Sequence, residues 1–260
     1  MTKTIAMMQP YWFPYLGYFQ LIQAADVFVI GDDLQYINRG WVNRNRILAN
    51  GEPWLFSLPL KKGHHELPIN QRELSDTVAQ DNAKLLRTLS LHYGRAPYRD
   101  QVMPLLERLL QHPEPNLALY LEHSLRELCA HLGITTPIVR GSEQAIGAVE
   151  DKQDRVVKLV RHLGGNRYLN PIGGLELYED KYFQDHGLEL RFHRMDDLSY
   201  PQFKKPFVPN LSIIDVLMFN TVEQVRDWLP CFSTQSAPPR GEAHGINACA
   251  TVQSATEVRP

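Results

Sequence analysis

Apolar positions change their period twice within the first thirty residues. Residues 4–9 form a short apolar run that Pro10 closes, because proline cannot donate a ladder hydrogen bond, so the run predicts a buried strand. Over residues 14–25 the apolar side chains fall at Leu16, Phe19, Leu21, Ile22 and Ala25, a helical spacing, and residues 27–30 are apolar throughout. A strand, a short helix and a second strand predict parallel pairing through a right-handed crossover.

The pattern continues in alternating blocks. Residues 51–72 read as two extended segments around a Lys61-Lys62-Gly63 turn, with Trp54, Phe56 and Leu58 alternating as in a half-buried strand. Residues 77–93, 98–111 and 116–132 carry helical periodicity and make a helical insertion of about residues 77–132. Residues 136–139, 151–163 and 167–170 repeat the strand, helix, strand order. Residues 175–186 read as another helix and 188–192 as another strand. Pro201, Pro206 and Pro209 keep residues 200–210 irregular, and Asn210 is placed to cap a helix over 211–219. Beyond Leu229 the periodicity ends, and the Ser-, Ala-, Pro- and Thr-rich stretch 231–260 is expected to be a disordered tail. The expected architecture is one α/β domain over residues 1–230, with a mostly parallel, Rossmann-like (nucleotidyltransferase-like) sheet and helical additions.

Composition adds exclusions. A chain of 260 residues with a net charge of −2 is not a whole-chain nucleic-acid binder, so no nucleic-acid partner is expected. Three scattered cysteines, Cys129, Cys231 and Cys249, give neither a disulfide framework nor a Cys-x-x-Cys metal site. With no charged-then-apolar leader and no apolar run approaching ~18 residues, a cytoplasmic protein without membrane insertion is expected.

Chemistry concentrates where the first two strands end. In parallel sheets ligands bind beyond the carboxyl ends of the strands. Those ends bring Tyr11, Trp12, Phe13, Tyr15 and Tyr18 to one crevice with Asp32 and Asp33, followed by Arg39, Arg44 and Arg46 interleaved with Asn38, Asn43 and Asn45. Guanidinium forks and amides suit phosphate, carboxylate and sugar groups, whereas the plain alternative makes the aromatics core and the arginines a solvated face. Adjacent His64 and His65 in an extended segment point to opposite faces and make poor partners for one metal, so no metal site is assigned. Gly173 and Gly174 permit close backbone approach to a ligand, or simply make a turn. Gly-x-Gly-x-x-Gly and P-loop patterns are absent from the sequence.

Three stretches carry a resemblance. Residues 8–19 (MQPYWFPYLGYF), 32–41 (DDLQYINRGW) and 209–215 (PNLSIID) together resemble the WbqC-like family of bacterial proteins, over roughly residues 4–228. The resemblance implies O-antigen or other surface-polysaccharide (lipopolysaccharide) biosynthesis. The motif residues Gln9, Tyr11, Gly17, Gln35, Asn38, Arg39, Asn210, Ser212 and Asp215, with Gln202 just before the third motif, are the candidate substrate-binding residues. A second, local similarity links residues 14–22 to the His-x-Gly-His signature of nucleotidyltransferases and pantothenate synthetase. There Tyr15, Gly17 and Tyr18 occupy the signature positions and both histidines are missing. Adenylate chemistry would then draw its positive charge from Arg39, Arg44, Arg46 or Lys61, and ATP is the candidate cofactor, the cofactor being otherwise unknown.

Two functional readings follow. In the first the chain is a transferase that passes an acyl or aminoacyl group to an amino sugar on a nucleotide- or lipid-linked precursor, with Asp32 or Asp33 as the base and Tyr15 and Tyr18 beside the reacting group. Because neighbouring residues on a strand end point in opposite directions, only one aspartate serves as base. In the second it is a non-catalytic sugar or nucleotide binding protein, a reading kept open because the motifs hold no nucleophile elbow, metal cluster or histidine dyad. The three motifs are expected to converge on one pocket, with an anion held near the N-terminus of the helix that begins around Ser212 and Asp215.

Overall fold

The N-terminal apolar run becomes β1 (Thr4–Met8), an interior strand of a six-stranded sheet. The structure, a computed structural model, describes residues 2–203 and 206–236. Side chains of β1 alternate between two cores: Ala6 joins the larger one, while Ile5 and Met7 join the smaller one. A strand buried on both faces needs no polar alternation, and residues 4–9 accordingly read as a continuous apolar run.

After β1 come α1 (Leu16–Gln23), β2 (Val27–Ile30), β3 (Arg44–Ala49) and β4 (Glu52–Ser57). The insertion supplies α2 (Val78–His92), α3 (Arg99–Leu110) and α4 (Leu117–His131). β5 (Ile138–Arg140), α5 (Lys152–His162), β6 (Arg167–Pro171), α6 (Asp180–Asp185) and β7 (Glu189–Met195) continue the alternation. The chain then forms α7 (Ile213–Phe219), α8 (Val222–Trp228) and β8 (Phe232–Gln235).

The sheet order is β5-β2-β1-β6-β7-β8, with every pairing parallel except that of β8 with β7. α1 packs in the larger core and α5 in the smaller, so helices cover both faces, as in a Rossmann-like sheet. The added helices α2 to α4 extend the larger core, where α3 packs on α7. Among the described residues no helix is long and apolar enough to cross a membrane.

Four local expectations are corrected. β4 pairs with β3 rather than folding around Lys61-Gly63, because Asn50 and Gly51, with φ of 54° and 87°, close a tight hairpin. Trp54 then stands 41% exposed, so the alternation read from 54 to 58 holds only for Phe56 and Leu58. The single helix expected over 175–186 is a 3-10 turn over Ile172–Leu177 followed by the short α6. Residues 232–235 of the expected tail form β8 and cover His193, which is 2% exposed and lies 4.8 Å from the Phe232 ring, centroid to centroid. The tail beyond residue 236 lies outside the described residues.

β8 therefore has a measurable consequence. Ending the chain after Cys231 should uncover His193 and the edge of β7, lowering the melting temperature by about 2–4 °C for each kcal/mol lost. A melting curve that coincides with that of the full chain would show that β8 contributes nothing. Burial pushes the His193 imidazole down to about 4, against the opposing pull of Asp196. The folded value lies below the unfolded one, so this stability is present above about pH 6.5 and is lost as the pH falls toward 4.

Candidate functional site

Strand order reverses between β1 and β6, which makes the space beyond their carboxyl ends the natural crevice of this sheet. Gln9, Pro10 and Tyr11 lie on one side and the 171–174 turn on the other. Gly31 to Asp33 follow the adjacent β2. Gln9 donates through Nε2 to the Gln35 carbonyl at 3.0 Å, and Tyr18 donates to the Gln9 carbonyl at 2.9 Å. Gly173 is open, with no atom within 4 Å of where a Cβ would stand, so backbone approach is free there. Gly174 is glycine for packing, since an added Cβ would lie 2.0 Å from Asn170 Nδ2.

The turn between β1 and α1 ties the first and third motifs to residues 42–46, which follow the second. Phe13 is buried with a positive φ of 46°, a strained conformation for a bulky residue. Its carbonyl accepts from Asn45 Nδ2 and from the Ser212 hydroxyl, each at 2.7 Å. The backbone adds Trp12 N–H to Val42 O, Ser212 N–H to Arg46 O and Ile213 N–H to Pro14 O. The first and third motifs thus meet in a buried knot. Trp12, Phe13 and Tyr18 belong to its core, so only the half-buried Tyr11 and Tyr15 remain as aromatic faces for a ligand. Gly17 lies under the Tyr15 ring, where a Cβ would meet Cε2 at 2.4 Å, and so presents no open helix start.

Asp32 and Asp33 lie in the turn after β2, where Asp32 engages the turn that follows β5 and Asp33 engages α5. Asp32 is 2% exposed and accepts from Ser142 N–H at 2.9 Å, the Ser142 hydroxyl at 2.5 Å and Asn70 Nδ2 at 3.4 Å. Both oxygens of Asp33 accept from Arg155 Nη2 at 2.7 Å. Ser142, Asn70 and Arg155 were not singled out from sequence. No periodicity could show that Asn70 and Arg155 fold back onto the β2 turn.

Residues 34–46 form a basic strap over the end of β1. Arg44 and Arg46 lie two apart on β3 and so share a face, and their guanidinium carbons stand 5.7 and 5.2 Å from the Trp41 ring centroid. Arg44 also donates to the Gly40 and Arg39 carbonyls, while Arg46 Nε is buried without a partner. Neither guanidinium pairs with a carboxylate among the described residues. Arg39, with φ of 61°, and Asn38 are exposed on the same strap. Arg72, which stands over the Tyr36 ring at 4.8 Å, was not read from sequence.

The remaining expected residues lie elsewhere. Lys61 is paired with Glu73 and Asp76, so it is not a spare cation for a ligand. His64 and His65 are exposed, and no metal-holding cluster occurs among the described residues. Ser212, rather than Asn210, caps α7, because Asn210 has a positive φ of 56°. Ser212 and Asp215 are fully buried, so the N-terminus of α7 offers no open anion site. Asp215 accepts from Tyr93 at 2.6 Å, Tyr200 at 2.7 Å and Gln202 Nε2 at 2.8 Å. It is sealed behind those groups. Burial raises the Asp215 carboxyl above its ordinary value of 3.8, against the lowering effect of the three donors.

Residues 9–227 match the family model of the WbqC-like protein family. The uncharacterized protein Rv1507c of Mycobacterium tuberculosis is 28% identical over 232 residues, covering 87% of this chain and 97% of its own. No solved structure matches.

The knot and the buried carboxylate each yield a test. Ser212→Ala removes one of two donors to the strained Phe13 carbonyl together with the α7 cap, and should cost about 1–3 kcal/mol in denaturant melts. An unchanged midpoint would show that Asn45 alone suffices. For Asp215 the folded pKa is the raised one, so its contribution is full below the unfolded value and is lost as pH rises through the folded value. Melting temperature of the wild type should therefore fall relative to Asp215→Asn as the pH is raised from about 4 toward neutrality. Parallel curves would contradict this.

Proposed function

Because the chain belongs to the WbqC-like protein family, we propose that it is a transferase of bacterial surface-polysaccharide biosynthesis, such as that of O-antigen. In this reading it passes an acyl or aminoacyl group to the amine of an amino sugar carried on a nucleotide or lipid. The observation that carries the reading is the pair of half-buried guanidiniums on the Trp41 ring without carboxylate partners, on a strap bonded to the end of β1. Two such groups seat a diphosphate by charge-assisted, bidentate hydrogen bonds. Beside them Gln9, Gln35 and Asn38 offer amides to sugar hydroxyls, Tyr11 and Tyr15 offer ring faces, and Gly173 leaves space for the acyl donor.

In the transfer step the sugar amine attacks the acyl carbonyl, the new N–C bond forms, and the bond from the acyl carbon to the donor's leaving group breaks. The amine proton passes to a base. Asp33 is the more exposed of the two carboxylates and takes that role in this reading once it parts from Arg155, while Asp32 holds the Ser142 turn in place. If the acyl group is activated by ATP, Tyr15 and the arginines meet the phosphates, because the Tyr18 hydroxyl is already bonded to the Gln9 carbonyl.

A second reading, a non-catalytic binder of the same sugar nucleotides, is favoured by one observation: both carboxylates are already engaged by protein groups. A thermal-shift screen with ATP, coenzyme A thioesters and nucleotide sugars, followed by turnover assays on the ligands that bind, separates the two readings. Arg44→Ala and Arg46→Ala should each weaken nucleotide-sugar binding about 10-fold, corresponding to ~1.4 kcal/mol. Asp33→Asn should bind normally and lose turnover about 100-fold or more. Binding without turnover across the set would establish the binder instead, and undiminished binding by both arginine variants would remove the diphosphate seat.

A further inference from the structure

A second cleft, of about 360 Å³, opens where the turn between α2 and α3, residues 201–203 and the turn between α7 and α8 meet. It shares no residue with the strap or with the strand ends at Gln9 and Asp33. Its wall is aromatic. Phe203 is 43% exposed, unusual for so large an apolar ring, and packs edge-on against Phe219 at 4.8 Å. Phe219 in turn packs edge-on against the buried Tyr93 at 5.9 Å.

Around that wall stand polar groups with unused hydrogen-bonding capacity. Asn220 is 4% exposed and donates through Nδ2 to the Val216 carbonyl, leaving Oδ1 without a partner among the described residues. Gln224 accepts through Oε1 from Thr221 N–H, leaving its two Nε2 hydrogens unused. Arg95 is exposed and has no carboxylate or carbonyl partner among the described residues. By contrast, Gln202 is spent: its amide bonds the Val208 backbone on both sides and Asp215. The buried Asp215 network therefore fixes the floor, and Phe203, Asn220, Gln224 and Arg95 remain to meet a ligand.

We propose that this cleft binds an anionic pyranose, a sugar ring carrying a carboxylate or a phosphate. Each feature has a counterpart in such a ligand. A pyranose offers an apolar C–H face to Phe203, a hydroxyl donor to Asn220 Oδ1 and a hydroxyl acceptor to Gln224. Its charged substituent takes the Arg95 fork. A neutral sugar would leave the Arg95 fork unused. The volume lies within the range of small-molecule sites, ~300–1,000 Å³, at the end that suits one or two sugar rings. The inference stands on the cleft's own residues and does not depend on the transferase reading.

Saturation-transfer NMR on the full chain tests it, with methyl β-glucuronide, glucose 1-phosphate and methyl β-glucoside as probes. Transfer to the ring protons of at least one anionic probe is expected, with the neutral glucoside at least 3-fold weaker. Phe203→Ala should abolish the transfer that this cleft contributes, and Arg95→Ala should erase its preference for the charged probe. Both residues are exposed, so folding should survive, and a melting curve checks that it does. Repeating the set in an Arg44→Ala/Arg46→Ala background removes any signal from the diphosphate seat, and the Phe203- and Arg95-dependent signal should persist there, which separates failure here from failure of that seat. Absence of transfer to both anionic probes, or a signal unchanged in Phe203→Ala or Arg95→Ala, would overturn the proposal. Signal from one anionic probe alone would fix which substituent the site takes.

Discussion

One carbonyl group organises this protein. Phe13 sits at positive φ with its side chain buried, so the tight turn between β1 and α1 is strained, at a cost on the order of 1–2 kcal/mol. The strain persists because the Phe13 carbonyl, which the turn aims into the interior, accepts two side-chain hydrogen bonds from segments far away in sequence. Asn45 belongs to β3 and Ser212 to the cap of α7, so this single acceptor joins the sheet, the hairpin and the C-terminal helices. An unpaired buried carbonyl would cost about as much as the strain itself, which makes the three segments mutually dependent.

That dependence explains the placement of the basic strap. Once Asn45 is committed to the residue 12–13 backbone, its neighbours Arg44 and Arg46 must point to the opposite side of β3, because alternate residues on a strand share a face. There they meet Trp41, while Val42 is held by the Trp12 amide. The β3 end of the strap is therefore held by the same turn that shapes the crevice.

Much of this architecture was legible in the sequence for a specific reason. β1 and β2 are buried on both faces, so their apolar runs are unbroken, and the helices show the 3.6 period of one buried side. The unread parts lack such signals or carry a different one. β8 is a four-residue edge strand of Phe, Ser, Thr and Gln whose stability comes from pairing with β7 and covering His193, neither of which periodicity reports. Asn50-Gly51 is a hairpin dipeptide that the reading of residues 51–72 around Lys61-Lys62-Gly63 did not use. In the site, motif residues were found but their roles were not. Trp12, Tyr18, Ser212 and Asp215 look like ligand-contacting chemistry in a linear text, and in the fold they are buried, as is usual for large aromatic and well-bonded polar residues. Asn70, Ser142 and Arg155, which secure the aspartates, come from three separate segments and share no spacing that a sequence could display.

The electrostatics of the strap bear on why it is built this way. Two guanidiniums share one indole within a few ångströms of its centroid, and at an effective dielectric near 20 their mutual repulsion is on the order of 1–2 kcal/mol. Cation–π contact with Trp41 offsets part of that cost, at roughly 0.5–1 kcal/mol for each half-exposed pair. Carboxylates that could neutralise the pair lie close in sequence, yet Asp32 is committed to Ser142 and Asn70, and Asp33 to Arg155. The fold thus keeps its acids and these two bases apart by giving each acid another partner, and leaves the strap with a positive charge that an anionic ligand would neutralise. In a protein whose overall charge is only −2, that local excess departs from the chain's balanced composition.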